Sequence, residues 1–317
     1  MSNLKQAANS QWPGAGRVLR ILGLLIGMGA FVFVGSALHQ SFQALHQQII
    51  SRDLLLAVAV CAIVYGAGLQ FVGLAWYRLL AAGGDVPLGI GQALAIFGRT
   101  QIYKYLPSNI LHMVGRFAAA RKAGVSTAAL TYAQVAEVAI IAFAAGALAA
   151  TFSAPVLNKA LTEFSGGLPE LTVASIAIAL AVMAVVVFCF LRRKAGDNGV
   201  RAISVSAQAF LLYLAFFAMN GLIIFILAYS LPGLTPLDVP GLIGIGAAAW
   251  LIGFIVPGAP GGLGVREAVM IMGLSAAGQP VWSATAIALG HRFVTILGDG
   301  IVALCGLAAR TRSAPTA

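Results

Sequence analysis

The sequence predicts an all-α polytopic membrane protein with about six transmembrane helices and about two re-entrant hairpins, arranged as an inverted-topology repeat. Of the 317 residues, 60% are hydrophobic and 9% are charged, whereas soluble domains average about half apolar and about a quarter charged residues. Several apolar runs have the ~20 residues that a helix needs to cross a hydrocarbon core ~30 Å thick. Two further apolar regions are interrupted by proline and glycine, and they share a sequence pattern.

Uninterrupted apolar runs predict the transmembrane helices. They occupy residues 18–38, 54–77, 126–151, 171–191, 204–230 and 281–308. The first run is longer than the apolar core of a secretory signal, and no convincing cleavage site follows it, so we expect a retained helix.

The distribution of basic residues predicts the orientation, because Lys and Arg accumulate in short cytoplasmic loops. Arg17 and Arg20 precede the first helix, Arg310 and Arg312 follow the last, and residues 192–194 form the densest basic cluster. Both termini are therefore predicted to be cytoplasmic. The net charge of +10 lies mostly at helix ends, so we expect no nucleic-acid partner.

The two interrupted regions are residues 87–122 and 240–274, and each has an apolar run, a proline-containing break and a shorter second run. The second runs are too short to span the bilayer comfortably, which favours re-entrant hairpins. Two full crossings in each region would leave the same orientation, so this alternative stays open.

The interrupted regions also match one another in order. Asp85-Val86-Pro87 recurs as Asp238-Val239-Pro240, and an arginine follows a later proline by nine residues in each region: Pro107 and Arg116, Pro257 and Arg266. We predict a cytoplasmic tail at 1–16, a first repeat at 17–152, an external loop at 153–170, a second repeat at 171–309 and a tail at 310–317. Inverted repeats of this kind carry substrate sites near the midplane of many transporters.

Each break is predicted to expose the N-terminus of a short helix, where unpaired N–H groups and the helix dipole favour phosphate or carboxylate. Ser108 and Asn109 are good N-cap residues at the first break. Gly261, Gly262 and Gly264 leave the backbone unobstructed at the second break.

Charged residues within membrane spans are functional candidates. Arg292 and Asp299 share a helix face, Arg266 and Glu267 point apart, and the excess of cations favours an anionic ligand. Internal ion pairs between helices are the structural alternative. The candidate substrate-binding residues are Arg116, Arg266, Gly261, Gly262, Gly264, Ser108, Asn109, Glu137, Glu267, His291, Arg292 and Asp299.

Enzymatic motifs are not evident in the sequence. The glycine run superficially resembles a nucleotide-binding loop, but it has neither the Walker lysine nor a preceding strand. We find no zinc helix and no nucleophile elbow. We therefore expect no enzyme activity, catalytic residue, metal site or cofactor.

Four segments carry a family resemblance: "LAWYRLLAAGG" (74–84), "KYLPSNILHMVGRFAAARKAGVS" (104–126), "VPGAPGGLGVREA" (256–268) and "ATAIALGHRFVTILGD" (284–299). The chain resembles the membrane domain of lysylphosphatidylglycerol synthases and their stand-alone, flippase-like relatives. The resemblance implies a bacterial inner-membrane protein whose related domain moves an aminoacylated phospholipid between leaflets. The cytosolic aminoacyl-transferase domain of the synthases has no counterpart here, so synthase activity is not implied.

These observations predict a translocator for a phosphate-bearing lipid, such as a modified phospholipid or a polyprenyl-linked or glycolipid precursor. A non-catalytic membrane partner of a lipid-modifying or glycosyltransferase enzyme is one alternative. A small-solute secondary transporter is the other.

Overall fold

The computed structural model describes residues 51–106, 110–165, 199–232, 236–256 and 260–312. All regular secondary structure in these residues is helical, which confirms the predicted all-α class. The predicted helices at 18–38 and 171–191, the N-terminal tail, and Ser108 and Asn109 at the first break lie outside the described residues.

Eight described α-helices follow one another along the chain. They are α1 (Arg52–Gly83), α2 (Ile90–Thr100), α3 (Leu111–Lys122), α4 (Thr127–Ser165), α5 (Gly199–Tyr229), α6 (Val239–Ile255), α7 (Val265–Ala276) and α8 (Val281–Arg312). A 3₁₀ turn, Gln101–Tyr105, continues α2, and another, Pro260–Gly262, precedes α7.

The four long helices α1, α4, α5 and α8 each contain a segment that is long and apolar enough to cross a membrane. They correspond to four of the predicted runs, so the chain has the helices of a multi-pass membrane protein. Helix α1 begins where the Ser51 hydroxyl accepts a hydrogen bond from the Leu54 N–H at 3.0 Å, a common N-cap interaction.

Helix α4 does not end where the sequence predicted. The run 126–151 and the loop from 153 place its end before Pro155, yet the helix continues to Ser165 with Pro155 inside it. Proline within an apolar helix is tolerated where neighbouring groups satisfy the freed backbone. The helix therefore extends beyond the predicted run, and residues 166–170 of the predicted loop lie outside the described residues.

Each interrupted region forms two short helices that flank a break, in agreement with the predicted positions. Helices α2, α3 and α7 have 11, 12 and 12 residues, and α6 has 17, all below the ~20 residues of a full crossing. Helix α6 begins at Asp238, whose carboxylate accepts a hydrogen bond from the Gly241 N–H at 2.7 Å.

Packing interleaves the two halves of the described chain. Helices α1 and α5 pack extensively along each other, α2 packs on α8, and α6 packs on α4. The Ser153 hydroxyl of α4 donates a hydrogen bond to the Gly241 carbonyl of α6 at 2.7 Å. The first helix of each short pair therefore packs against the long helix that follows the other pair.

The contact between α2 and α8 depends on Gly98. A methyl group added there would lie 2.6 Å from the Val302 carbonyl oxygen, whereas a methyl group at Gly91, in the same helix, would have no atom within 4 Å. We expect Gly98→Ala to lower the free energy of unfolding by about 1–3 kcal/mol because the helices must separate. Gly91→Ala is the matched control, and thermal unfolding in detergent compares the two. Equal stabilities would contradict the described α2–α8 contact.

Candidate functional site

Charged side chains converge where the two breaks meet α4 and α8. Arg116, Glu137, Arg292 and Asp299 have relative exposures of 2%, 5%, 4% and 0%. Lys104, Arg266 and Glu267 adjoin them, and these seven residues are named the interior charge cluster. Because an isolated charge in a low-dielectric interior is very costly, such groups must be paired or meet a ligand.

Arg116 of α3 is held on three sides. Its Nη2 forms an ion pair and a hydrogen bond with the Glu137 carboxylate of α4. The guanidinium carbon lies 4.9 Å from the ring centre of Trp76 and 5.4 Å from that of Phe97, within the range of cation–π attraction. The charge of Arg116 is therefore neutralised inside the protein.

Asp299 of α8 joins the last helix to the first break. Its Oδ2 lies 2.5 Å from the Lys104 ammonium and accepts a hydrogen bond from the Tyr105 hydroxyl at 2.5 Å. Both partners belong to the 3₁₀ turn that ends shortly before the break. Oδ1 of the same carboxylate is buried and has no hydrogen-bond partner.

Arg292, seven residues earlier on α8, reaches the second break. Its Nη1 donates a hydrogen bond to the Gly261 carbonyl at 3.0 Å, and its Nε lies 3.5 Å from Oε1 of Glu267. The buried Nε and Nη2 atoms have no hydrogen-bond partner. One face of α8 therefore contacts both breaks, as the predicted common face of Arg292 and Asp299 requires.

Glu267 and Arg266 diverge, as predicted from their adjacent positions. Oε2 of Glu267 accepts a hydrogen bond from the Gly264 N–H at 2.6 Å and so caps α7. The Arg266 guanidinium carbon lies 5.8 Å from the ring centre of Trp250. Nε of Arg266 is buried without a hydrogen-bond partner, and no ion pair to Arg266 occurs among the described residues.

The glycines of the second break have a backbone that other residues seldom adopt. Gly261, Gly262 and Gly264 have φ angles of 59°, 73° and 81°, in the region that strongly favours glycine. Gly261 and Gly262 are buried, and Arg266 packs directly over Gly262. Gly264 is exposed and lines neither interior cavity.

Two small cavities lie within the cluster. The larger has a volume of about 70 Å³ and is lined by Lys104, Arg116 and Glu137 among others. The smaller has a volume of about 20 Å³ and is lined by His291 and Arg292, with Asn220 opposite. Tyr65, Trp250 and Arg266 line both cavities and separate them.

Sequence inspection missed several residues that contact the interior charge cluster or line its cavities. His291 was predicted, but its partner Asn220, whose Oδ1 lies 3.3 Å from the His291 Nε2, was not. The amide side chain of Asn220 lies within the apolar run 204–230, and a polar residue in such a run is a sequence signal that could have identified it. Tyr105, Trp76 and Phe97 carry no such signal, because aromatic residues are frequent in apolar cores.

Fold and site together define an all-helical protein of the multi-pass membrane type with paired charges in its interior. The chain matches no protein-family model and no curated protein. The resemblance to the flippase-like family is therefore still a prediction, and the function is inferred from the site itself.

The Arg116–Glu137 pair yields a test of how the buried charges are balanced. We expect Arg116→Gln or Glu137→Gln alone to lower the free energy of unfolding by about 3–5 kcal/mol, because each leaves one buried charge uncompensated. The double variant R116Q/E137Q removes both charges. Its loss of unfolding free energy is therefore expected to be much smaller than the sum of the losses in the two single variants. Denaturant or thermal unfolding of the four proteins in detergent gives the coupling energy. Additive costs would show that the two side chains do not depend on each other.

Proposed function

We propose that this protein is a lipid translocase of the bacterial inner membrane that moves a phosphate-bearing headgroup between leaflets. The observation that carries the proposal is the interior charge cluster at the meeting point of two broken helix pairs. Charges and interrupted helices are costly inside a membrane unless they serve a wet cavity or a ligand. Both features coincide at one place in this fold.

The inverted repeat is part of the proposal, and side-chain positions support it. Phe97 lies ten residues after Pro87, and Trp250 lies ten residues after Pro240. The ring of Phe97 contacts the guanidinium of Arg116, and the ring of Trp250 contacts that of Arg266. The proline-to-aromatic and proline-to-arginine spacings match in the two regions, and the same type of contact occurs in both.

Helix packing supports the same repeat. In the proposed repeat, α1 corresponds to α5, α2 to α6 and α4 to α8. The α2–α8 contact then corresponds to the α6–α4 contact, and both contacts are extensive. The same correspondence maps the central α1–α5 contact onto itself. We infer two repeats, 17–152 and 171–309, with re-entrant hairpins that enter from opposite sides and with both termini in the cytoplasm.

The charge balance favours an anionic headgroup. Within the described residues, the cluster has four cations, Lys104, Arg116, Arg266 and Arg292, and three carboxylates, Glu137, Glu267 and Asp299. One positive charge is left for a ligand. Arginine binds phosphate with a planar fork of donors, so a phosphate ester suits this site.

Transport requires the breaks to move. A cavity needs about 10–15 Å³ to hold one water, so the two cavities, at about 20 Å³ and about 70 Å³, admit only a few waters. A headgroup enters when one repeat rocks against the other and separates the breaks, while its acyl chains remain in lipid. Alternating access of this kind is the usual mechanism of inverted-repeat transporters.

A leaflet-resolved assay in liposomes tests the proposal. Purified protein is expected to accelerate the exchange of labelled phospholipid or polyprenyl phosphate between leaflets, and to leave a phosphate-free glycolipid at the background rate. Arg292→Gln is expected to slow the exchange at least about tenfold, since a charged hydrogen bond contributes ~1.5–3 kcal/mol.

The matched control is Arg78→Gln, which removes an exposed guanidinium at the end of α1 that contacts Gln208. This variant should exchange lipid at the wild-type rate. If no lipid of the panel moves faster than in protein-free vesicles, the translocase proposal fails. Uptake of a water-soluble solute coupled to Na⁺ or protons would replace it with a secondary transporter.

A further inference from the structure

The two repeat-related arginines have different surroundings. We infer that Arg266, together with Arg292, binds the phosphate of the ligand, and that Arg116 with Glu137 is a permanent structural pair. This inference rests on the proposed function, since it assigns the headgroup phosphate to one half of the molecule. The binding site is then asymmetric, although the two proposed repeats that form it are similar.

The charge of Arg116 is already paired with a protein carboxylate, although its buried Nε has no hydrogen-bond partner. Its side chain is 2% exposed, its charge is paired with Glu137, and rings of two helices cover the guanidinium. A phosphate that approached Arg116 would have to displace a carboxylate from a buried ion pair. Such a displacement leaves Glu137 uncompensated in the interior, which is strongly unfavourable.

Arg266 lacks the carboxylate that its repeat counterpart has. Glu137 lies 21 residues after Arg116, and the residue 21 positions after Arg266 is the buried Ile287. The alignment of Ser126 with Ser275 shifts the correspondence by one residue, to Ala286, which is also apolar. The second repeat therefore has the arginine and its aromatic partner without the neutralising acid.

Arg292 supplies a second set of donors beside Arg266. Both residues line the smaller cavity, together with His291 and Asn220. Arg292 is 4% exposed, and its Nε and Nη2 atoms have no hydrogen-bond partner although they are buried. Buried donors of this kind are almost always satisfied in folded proteins. Nε already has the Glu267 carboxylate within ion-pair distance, so it is Nη2 that points to a ligand.

Glu267 pairs with Arg292 when no phosphate is bound, and a bound phosphate would change this pairing. Its carboxylate lies 3.5 Å from Nε of Arg292 and also caps Gly264 at the start of α7. A phosphate between Arg266 and Arg292 competes with Glu267 for Arg292. Binding is therefore coupled to the start of α7 and to the second break.

Ligand binding to the full chain in detergent tests the assignment. The probes are dihexanoyl phosphatidic acid, inorganic phosphate and, as a phosphate-free control, dihexanoylglycerol. We expect the phosphatidic acid to bind most tightly, and Arg266→Gln to weaken it at least about tenfold, the effect of losing a charge-assisted hydrogen bond. The double variant R116Q/E137Q, whose two charges cancel before and after the change, is expected to weaken binding less than Arg266→Gln does, and an equal or larger loss would overturn the assignment.

Tryptophan fluorescence identifies the arginine that the ligand contacts even where a charge variant is unstable. Trp250 lies against Arg266, and Trp76 lies against Arg116. The fluorescence change produced by dihexanoyl phosphatidic acid should disappear in Trp250→Phe and persist in Trp76→Phe. The reverse result would overturn the assignment and move the phosphate to Arg116.

Failure of this inference is distinguishable from failure of the translocase proposal. If wild-type protein moves lipid between leaflets but Arg266→Gln moves it equally well, the assignment to Arg266 is wrong and the transport function stands. If wild-type protein binds phosphatidic acid through Arg266 but moves no lipid, the site stands and the transport function fails. Binding of inorganic phosphate with the same affinity as the lipid would identify a soluble phosphate compound as the ligand, and absence of binding by any probe would overturn the site.

Discussion

The carboxylate of Asp299 is the contact on which the interior depends. It is completely buried and faces both an ammonium and a phenol from the first break, while Arg292 on the same helix holds the second break. Charges in a low-dielectric interior keep their geometry because any separation exposes an unpaired ion. Helix α8 thereby connects the 3₁₀ turn before the first break to Gly261 in the second break, two segments that are far apart in sequence.

Apolar runs and proline breaks were sufficient to locate the described helices, because both are local signals. They located α1, α5 and α8 and both helix pairs. Helix α4 continues past the predicted run and through Pro155, because a proline can be accommodated in a helix when neighbouring helices surround it. The charged residues were identified by their cost in a membrane. Their partners were not, because the Arg116–Glu137 and Lys104–Asp299 pairs depend on how α4 and α8 pack, which no local pattern encodes.

The proposed repeat would account for much of the helix packing, and the proposed site lies where the two halves differ. Phe97 and Trp250 occupy matched positions, as do Arg116 and Arg266, so both halves present an arginine stacked on an aromatic ring. A framework duplicated in this way would place two equal charges in the interior. Glu137 removes one of them, and an apolar residue at the matched position in α8 leaves the other.

Such an asymmetry is what a carrier of one anionic headgroup requires. Two equally charged sites related by the repeat would trap a phosphate on each side and oppose its release. Under the proposed function, Arg266, which has no ion pair among the described residues and lines both cavities with Tyr65 and Trp250, would let one phosphate bind from either cavity. In the same proposal, Glu267 would restore the charge balance at Arg292 when the phosphate leaves. The start of α7 depends on the same carboxylate, so occupancy of the site and the position of the second break are coupled through one side chain.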